Sequence, residues 1–263
     1  MSVYRKLSPR NGRHAHSRRA AFYDLDGTLV NLNLIHMTLF ILANLGEWSG
    51  RVSYLLGFAA RVPRLYLAER DDRRKLNTIL FESFKGVSHD RLLELGEEYC
   101  DRILLKHLFP RAIEMLEANR EAGLEPVLVT GSPDFVAEPL ARHLGVADCA
   151  GNRLVISRGR ATGRLAEPVM AGEDKALWCE RYAAERGIDL AECWGYADSN
   201  YDMPFLASLG HPVAVNPDRK LKAAAMSRHW PIIEFEMQST ADAAPSGDER
   251  VQEIERSESD GAS

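Results

Sequence analysis

The chain has 263 residues, of which 45% are hydrophobic and 27% are charged, and its formal net charge is −5 at pH 7. This is an ordinary soluble composition, and the length suits one α/β domain with an insertion or with a small second domain. The negative net charge gives no electrostatic reason to expect nucleic acid as the main partner.

The first nineteen residues are basic and contain no acid. A secretory signal would need a long apolar stretch directly after this segment, but the apolar run AAFYD that follows is interrupted at once by acid. We therefore predict a disordered basic tail over residues 1–19 and a cytoplasmic protein. The four cysteines form no C-x-x-C pair, and we expect them to be reduced thiols.

The run AAFYD, which ends at Asp24, is typical of a short strand buried on both faces of a parallel sheet. The turn DLDGTLV follows it, and Gly27 permits a tight backbone path there. The sequence therefore predicts a strand that delivers Asp24 and Asp26 to the edge of a sheet.

Residues 31–108 have a helical pattern and include two strongly apolar segments, 34–45 and 52–68. Neither segment reaches the roughly 18 uninterrupted apolar residues of a transmembrane helix. The second also contains Arg61, Pro63 and Arg64. We predict no transmembrane span and interpret the segments as buried helices of an inserted cap, residues 31–108. A cap that contacts a membrane or lipid peripherally is the alternative.

Strand and helix patterns alternate after the cap. The predicted elements are helices at 110–123, 133–144 and 175–187, strands at 127–129, 192–197 and 213–215, and a hairpin at 153–165. This alternation favours an α/β core, residues 20–30 and 109–236, with a Rossmann-like parallel sheet and flanking helices. Residues 237–263 lack a core pattern, and we predict a disordered C-terminal tail.

Polar side chains follow three of the predicted strands. They are Asp24 and Asp26, Thr130 and Ser132, and Asp198 and Asp202. Ligand sites in open α/β sheets lie outside the carboxyl ends of the strands, so these residues are expected at one site, with Lys175 a candidate to join them. Taken singly, each piece has an ordinary interpretation as a turn, a loop, a helix cap or a solvated lysine. Their ordered combination on strand ends favours a functional site.

Asp24 and Asp26 stand two residues apart, and carboxylates that close need a cation or a proton between them. Magnesium prefers oxygen ligands and commonly retains waters and a phosphate in its coordination shell. Asp198 could supply a further carboxylate. The pattern therefore indicates a Mg²⁺ site.

These pieces resemble the motifs of the haloacid dehalogenase (HAD) superfamily. Asp24-Leu-Asp26-Gly27-Thr28 is similar to the first motif and Thr130 to the second, while Lys175 and Asp198-Ser-Asn-Tyr-Asp202 are similar to the third and fourth. The resemblance covers roughly residues 20–235. The helical insertion after the first motif resembles subfamily IB, the phosphoserine-phosphatase-like branch, and implies a HAD core with a helical cap.

The resemblance implies a Mg²⁺-dependent phosphatase that works through an aspartyl-phosphate. Asp24 would be the nucleophile and Asp26 the general acid and base. The metal would be bound by the Asp24 side chain, the Asp26 carbonyl and Asp198. The phosphoryl group would be bound by Thr130, Gly131, Ser132 and Lys175, with Asp202 supporting Lys175 or a metal-bound water.

The substrate is left open by the sequence. Phosphoserine phosphatases carry a glutamate nine residues after the nucleophile and a cap arginine, whereas this chain has Asn33 at the first position and Lys85 as the nearest cap cation. We predict a small phosphorylated metabolite as the substrate. A lipid phosphate such as phosphatidylglycerophosphate is the alternative. Residues 130–133 and 198–206 also resemble lipid-phosphate phosphatases of the same subfamily, and the predicted cap is strongly apolar. A non-catalytic regulator that binds a phosphorylated metabolite and a phosphotransferase are further alternatives.

Overall fold

The computed structural model describes residues 18–46, 48–146 and 148–235. Residues 1–17 of the predicted basic tail and the whole predicted tail from 237 lie outside the described residues. The first strand begins at Arg19, so the last residue of the predicted N-terminal tail belongs to the sheet.

The core is a parallel sheet in the order β3-β2-β1-β6-β7-β8, beside a separate antiparallel hairpin, β4-β5. The strands are β1 Arg19–Tyr23, β2 Leu124–Pro133, β3 Asp148–Asn152, β4 Leu154–Ser157, β5 Arg160–Leu165, β6 Trp194–Ala197, β7 His211–Val215 and β8 Ile232–Ile233. This arrangement confirms the predicted Rossmann-like α/β fold.

The helices form two groups. Those of the predicted cap, residues 31–108, are α1 Leu34–Ala43, α2 Trp48–Ala59, α3 Val62–Asp71, α4 Arg73–Phe81 and α5 His89–Arg102. Those of the core are α6 Pro110–Glu121, α7 Asp134–His143, α8 Glu173–Arg186, α9 Met203–Ala207 and α10 Arg219–Arg228.

Strand β1 lies in the middle of the sheet and is buried on both faces. Tyr23 packs in the hydrophobic cluster on one face, which continues into the cap, and Phe22 packs in the cluster on the other face. Both side chains are fully buried, which explains why this strand reads as a continuous apolar run. The four cysteines are free thiols in this structure.

The cap leaves and rejoins the core at two paired segments. Asn31 N donates to His107 O at 2.9 Å, and Phe109 N donates to Leu29 O at 2.9 Å. The cap is also in close contact with the core, since a Cβ on Gly96 of α5 would lie 1.9 Å from the Phe135 carbonyl oxygen of α7. The predicted division of the chain at 30/31 and 108/109 falls at these paired segments and stays a prediction.

The two apolar cap segments differ in burial. The first is α1, whose inner face is buried as predicted. The second is divided between α2 and α3, because Pro63 starts a new helix after Arg61. Its outer face is not buried, and Leu56, Val62 and Leu67 are 66%, 49% and 68% exposed. Within the described residues, no helix is long and apolar enough to span a bilayer.

Candidate active site

The predicted site residues come together at the carboxyl edge of the three central strands. In the pairing register, Tyr23 lies opposite Leu128 of β2 and Tyr196 of β6, so Asp24 emerges between the ends of its two neighbours. Asp24 N continues the ladder by donating to Tyr196 O at 2.9 Å.

Two stacked tyrosines position the strand ends at this edge of the sheet. The rings of Tyr23 and Tyr196 lie 4.9 Å apart between centroids, and Asn119 donates to their hydroxyl groups at 2.7 and 2.8 Å. Because Tyr23 immediately precedes Asp24 and Tyr196 is two residues before Asp198, this contact fixes both acidic strand ends.

Gly27 is required by the turn that follows Asp26. Its φ is +79°, a left-handed conformation that disfavours residues with a Cβ, and its N–H donates to Val30 O at 2.9 Å. A Cβ at this position would lie 2.1 Å from Asp198 Oδ2. Glycine therefore brings the first and the last acidic loops into contact.

Lys175, near the start of α8, joins two of the acidic side chains. Its ammonium donates to Asp24 Oδ1 at 2.9 Å and to Asp202 Oδ1 at 3.0 Å, and the residue is 1% exposed. Burial alone lowers the pKa of Lys175, but the charges of Asp202 and Asp24 and the hydrogen bonds to them together raise it by more than burial lowers it. The lysine is therefore a permanent cation beside the proposed nucleophile.

Asp26 is separated from this ion pair and has a different environment. Its carboxylate accepts a hydrogen bond of 2.6 Å from Ser132 Oγ. Burial and the charge of Asp24 raise the pKa of Asp26 to about 6, although the bond from Ser132 lowers it in part. A carboxyl group with that pKa can both release and accept a proton near neutral pH, as general acid–base catalysis requires.

A possible metal site is formed by Asp24, Asp198 and Asp202. Each can contribute one carboxylate oxygen to a group whose members all lie within 4.8 Å of one another. Burial, followed by the charge of Asp24, raises the pKa of Asp198 well above its usual value, and burial raises the pKa of Asp202 despite Lys175. Crowded, desolvated carboxylates with these properties are suited to a hard divalent cation.

The Thr130–Ser132 segment belongs to β2, which continues to Pro133, beyond the predicted strand end at 129. Ser132 N donates to Thr130 Oγ1 at 3.0 Å, and the Ser132 hydroxyl group binds Asp26. Asn152 secures the segment, since its Nδ2 donates to Gly131 O at 2.7 Å and its Oδ1 accepts from Met170 N at 2.8 Å.

Several residues that shape the site were not predicted from the sequence. Asn152 is one, and Asp218 is another, because its N–H donates to Asp198 O at 2.8 Å and its Oδ2 accepts from Asn200 N at 2.7 Å. Neither stands in a recognisable motif, although Asn216-Pro217-Asp218 preceding a helix is a capping signal.

The cap contributes two further residues, Arg73 and Asn77 of α4. Arg73 lines the small cleft above the carboxylates, and Asn77 lies over Gly131. Their spacing of four on a predicted cap helix was the signal available in the sequence. Lys85, the cation considered from sequence, is exposed and lines a different groove. Asn33 is also exposed, and it caps α1 by accepting from His36 N.

Comparison with known proteins identifies a family and similar sequences. Residues 21–207 match the family model of the haloacid dehalogenase-like hydrolases. A phosphoserine phosphatase of Mycobacterium tuberculosis is 30% identical over 229 residues, 82% of this chain and 70% of the relative. A histidinol-phosphatase of Neisseria meningitidis serogroup C is 25% identical over 225 residues, 83% of this chain and 99% of the relative.

The fold has similar counterparts among solved structures. A protein with unknown function from Bordetella pertussis Tohama I superposes with a TM-score of 0.70 and 25% sequence identity, covering 82% of this chain and 98% of that one. The likeness therefore includes the cap as well as the sheet.

Proposed function

The chain belongs to the haloacid dehalogenase-like hydrolases, and we propose that it is a Mg²⁺-dependent phosphatase that hydrolyses a small phosphomonoester through an aspartyl-phosphate on Asp24. The observation that carries this proposal is the contrast between Asp24 and Asp26. Asp24 is hydrogen-bonded to the buried cation of Lys175, whereas Asp26 is bonded to a neutral hydroxyl group and has a pKa raised to about 6. The first is suited to remain an anionic nucleophile, and the second to transfer protons.

In the first step, an oxygen of the Asp24 carboxylate attacks phosphorus and the bond to the ester oxygen breaks. The protonated Asp26 gives its proton to the leaving oxygen, which departs as an alcohol. Lys175 donates to Asp24 Oδ1 and offsets the negative charge that collects between nucleophile and phosphoryl group.

In the second step, Asp26 acts as a carboxylate base. It accepts a proton from a water molecule, whose oxygen attacks phosphorus, and the bond to Asp24 breaks to release inorganic phosphate. Asp26 ends the cycle protonated, ready for the next substrate. This alternation requires one carboxyl group to be stable in both protonation states, which its pKa of about 6 supports.

The carboxylates of Asp24 and Asp198 and the carbonyl group of Asp26 would hold Mg²⁺, and the Asp202 carboxylate lies within the same cluster. A bound Mg²⁺ supplies positive charge that reduces repulsion between the anionic nucleophile and the anionic phosphoryl group. Besides the metal, Thr130 and the N–H of Gly131 would donate hydrogen bonds to the phosphoryl oxygens. Ser132 would act through Asp26, because its hydroxyl group is bonded there.

A small substrate is favoured by the enclosed site, in which α4 of the cap lies directly over the carboxylates. The two relatives described above are named for phosphoserine and for histidinol phosphate, both small phosphorylated metabolites. Because its cysteines are free thiols, we expect the protein to act in the cytoplasm.

A lipid phosphate is the second candidate, and the exposed apolar residues of α2 and α3 favour it. Leu56, Val62 and Leu67 project from the same part of the cap as Arg64. Such a surface could rest against an anionic bilayer while the cleft receives a headgroup. This candidate predicts faster turnover of substrate in vesicles than of the matching soluble headgroup phosphate.

The test is phosphate release from a panel of soluble and lipid phosphomonoesters, with and without Mg²⁺, for the wild type and for Asp24→Asn. We expect release that requires the metal and falls by at least about a thousandfold in the variant, because removing a covalent nucleophile removes its reaction path. Residual activity within tenfold of the wild type would refute the assignment of Asp24.

The same panel distinguishes the other functions. Binding of a phosphorylated metabolite without turnover of any substrate would indicate a regulator. Transfer of phosphate to an added alcohol in preference to water would indicate a phosphotransferase.

A further inference from the structure

Helix α4 of the cap presents two polar side chains to the active site. Arg73 and Asn77 are four residues apart, so they lie on the same face of the helix. Arg73 lines the cleft together with Asp24, Lys175 and Asp198. Asn77 reaches the end of β2, where a Cβ on Gly131 would lie 3.2 Å from Asn77 Nδ2.

Asn77 is the most unusual polar residue of this helix. It is completely buried, and neither Nδ2 nor Oδ1 has a hydrogen-bond partner among the described residues. Leaving a buried amide group without a partner is destabilising, so a chain with no use for it would be expected to place an apolar side chain there. The position of Asn77 over Gly131 indicates that its partner is a bound ligand.

Arg73 faces a concentration of negative charge. Its guanidinium group lowers the pKa of Asp26, Asp198 and Asp202, in opposition to the effect of burial. In the described part of the chain, its side chain makes no hydrogen bond to a carboxylate, whereas neighbouring Arg74 bonds to both Glu167 and Asp174. Arg73 is therefore a half-buried cation at the cleft with donors left for a ligand.

The two residues face different parts of the expected substrate. An arginine beside the nucleophile and Lys175 is placed to bind phosphoryl oxygens, for which its planar donors are well matched. Asn77 lies over Gly131, which directly precedes Ser132 in the chain, and Ser132 bonds to Asp26, the proposed acid for the leaving oxygen. Through this neighbouring residue, Asn77 is placed near the acid that serves the leaving alcohol.

We propose that Arg73 binds the phosphoryl group and that Asn77 selects a leaving alcohol with a neutral hydrogen-bonding substituent, such as a second hydroxyl group. The proposal rests on the proposed phosphatase function and names its substrate class. An amide can donate to and accept from a hydroxyl group, which satisfies both of its unpartnered atoms. Of the described acids that line the cleft, all belong to the catalytic and metal cluster, so an ammonium group has no separate partner there.

The test compares three substrates with one carbon skeleton: propyl phosphate, glycerol 3-phosphate and phosphoserine. For the wild type with Mg²⁺, we expect kcat/KM to be about tenfold higher for glycerol 3-phosphate than for propyl phosphate, the effect of one good hydrogen bond. Asn77→Leu should abolish this difference and leave propyl phosphate turnover within about threefold, because the change removes only a hydrogen-bonding group.

Arg73→Ala should lower kcat/KM for all three substrates by a similar factor of about a hundred, as expected for a lost charge-assisted contact to their common group. It should also weaken competitive inhibition by inorganic phosphate. Lys75→Ala removes an exposed cation from the same helix and is the matched control, for which we expect unchanged kinetics.

Two readouts are independent of turnover. Asn77→Leu should raise Tm in the absence of ligand, since it replaces an unpartnered buried amide with a side chain of similar size. Calorimetric binding of inorganic phosphate to the Mg²⁺-loaded protein should weaken in Arg73→Ala and persist in Lys75→Ala.

Each part can be overturned separately. Unchanged phosphate binding in Arg73→Ala would refute its contact with the phosphoryl group. An equal effect of Asn77→Leu on propyl phosphate and glycerol 3-phosphate would refute the role of Asn77, and preference for phosphoserine would refute the substrate class. If the wild type hydrolyses none of these or the wider panel, the proposed phosphatase function fails, while phosphate binding still tests Arg73.

Discussion

Gly27 and Asp198 are in contact across the candidate active site: a Cβ on Gly27 would lie 2.1 Å from Asp198 Oδ2. The glycine closes the loop that carries Asp24 and Asp26, and the aspartate follows a different strand, β6. The absence of a side chain at Gly27 therefore sets how closely the acidic loops approach each other.

Gly27→Ala is expected to disrupt the metal site more than the fold. The positive φ costs alanine about 1–2 kcal/mol, and the new methyl group must also displace the Asp198 carboxylate. We expect Mg²⁺ affinity, measured by calorimetry, to fall at least about tenfold, as is typical when groups that orient a metal ligand are disturbed. Gly187→Ala is the control, because Gly187 has a φ of +65° but a Cβ there would contact nothing within 4 Å. Equal Mg²⁺ affinity in the two variants would contradict this explanation.

Asp26 is expected to destabilise the metal-free protein as pH rises. Its pKa is raised from 3.8 to about 6, so the unfolded state loses the proton at a lower pH than the folded state. The resulting loss of stability begins near pH 4, is complete above pH 6, and amounts to at most about 3 kcal/mol.

Urea unfolding in EDTA measures this effect. The stability of Asp26→Asn relative to the wild type should increase between pH 4 and pH 6.5, while Asp90→Asn, which removes an exposed carboxylate, should show a much smaller change. A constant difference across that range would show that Asp26 has an ordinary pKa.

Ser132→Ala is expected to shift the pH dependence of catalysis. The Ser132 hydroxyl group donates to Asp26 at 2.6 Å and favours its charged form, so its removal raises the pKa of Asp26 further. The pH profile of kcat should shift to higher pH by up to about one unit, while the maximal kcat changes less. Ser208→Ala, whose hydroxyl group bonds to Phe205 O, is the control. A lower maximum with no displacement along the pH axis would indicate that Ser132 acts by another route.

Arg74→Ala is expected to loosen the cap. Arg74 of α4 donates to Asp174 at 2.5 Å and to Glu167 at 2.6 Å, and both acids belong to the core. The side chains of Arg74 and Glu167 are largely exposed, so the free energy of unfolding should change by less than about 1 kcal/mol. We expect KM to rise about threefold, because a smaller fraction of the molecules would have α4 in the position that binds substrate.

Two comparisons sharpen this prediction. The increase in KM relative to the wild type should diminish at high salt, which screens exposed ion pairs. Arg102→Ala, which removes a pair with Glu98 inside α5, should leave KM unchanged. A fall in stability without any change in KM would contradict a role in cap position.

The mixed burial of the cap marks a limit of sequence patterns. Apolar composition indicated that segments 34–45 and 52–68 were helical, and α1 is buried accordingly. It could not indicate which faces of α2 and α3 would find partners, and Leu56 and Leu67 remain mostly exposed. A hydrophobic pattern records the tendency to be buried, whereas the available partner surface depends on how helices distant in sequence pack.

The environments of the acids also required the tertiary structure. Asp24 and Asp26 are both carboxylates beside one turn, yet one binds Lys175, 151 residues away, and the other binds Ser132, 106 residues away. The environments of the two carboxylates therefore depend on partners that are distant in the sequence. The order of the acids along the chain can be read from the sequence, but their hydrogen-bond partners cannot.

The sequence by itself determined the parallel α/β core and the convergence of Asp24, Asp198 and the Thr130 segment. Alternating patterns specify strands and helices, and parallel strands present their carboxyl ends at one edge. Only the tertiary structure decided which cap residues meet that edge. Arg73 and Asn77 stand in an ordinary amphipathic helix, and their proposed role depends on where α4 packs against the core, which is set by contacts between residues distant in the sequence.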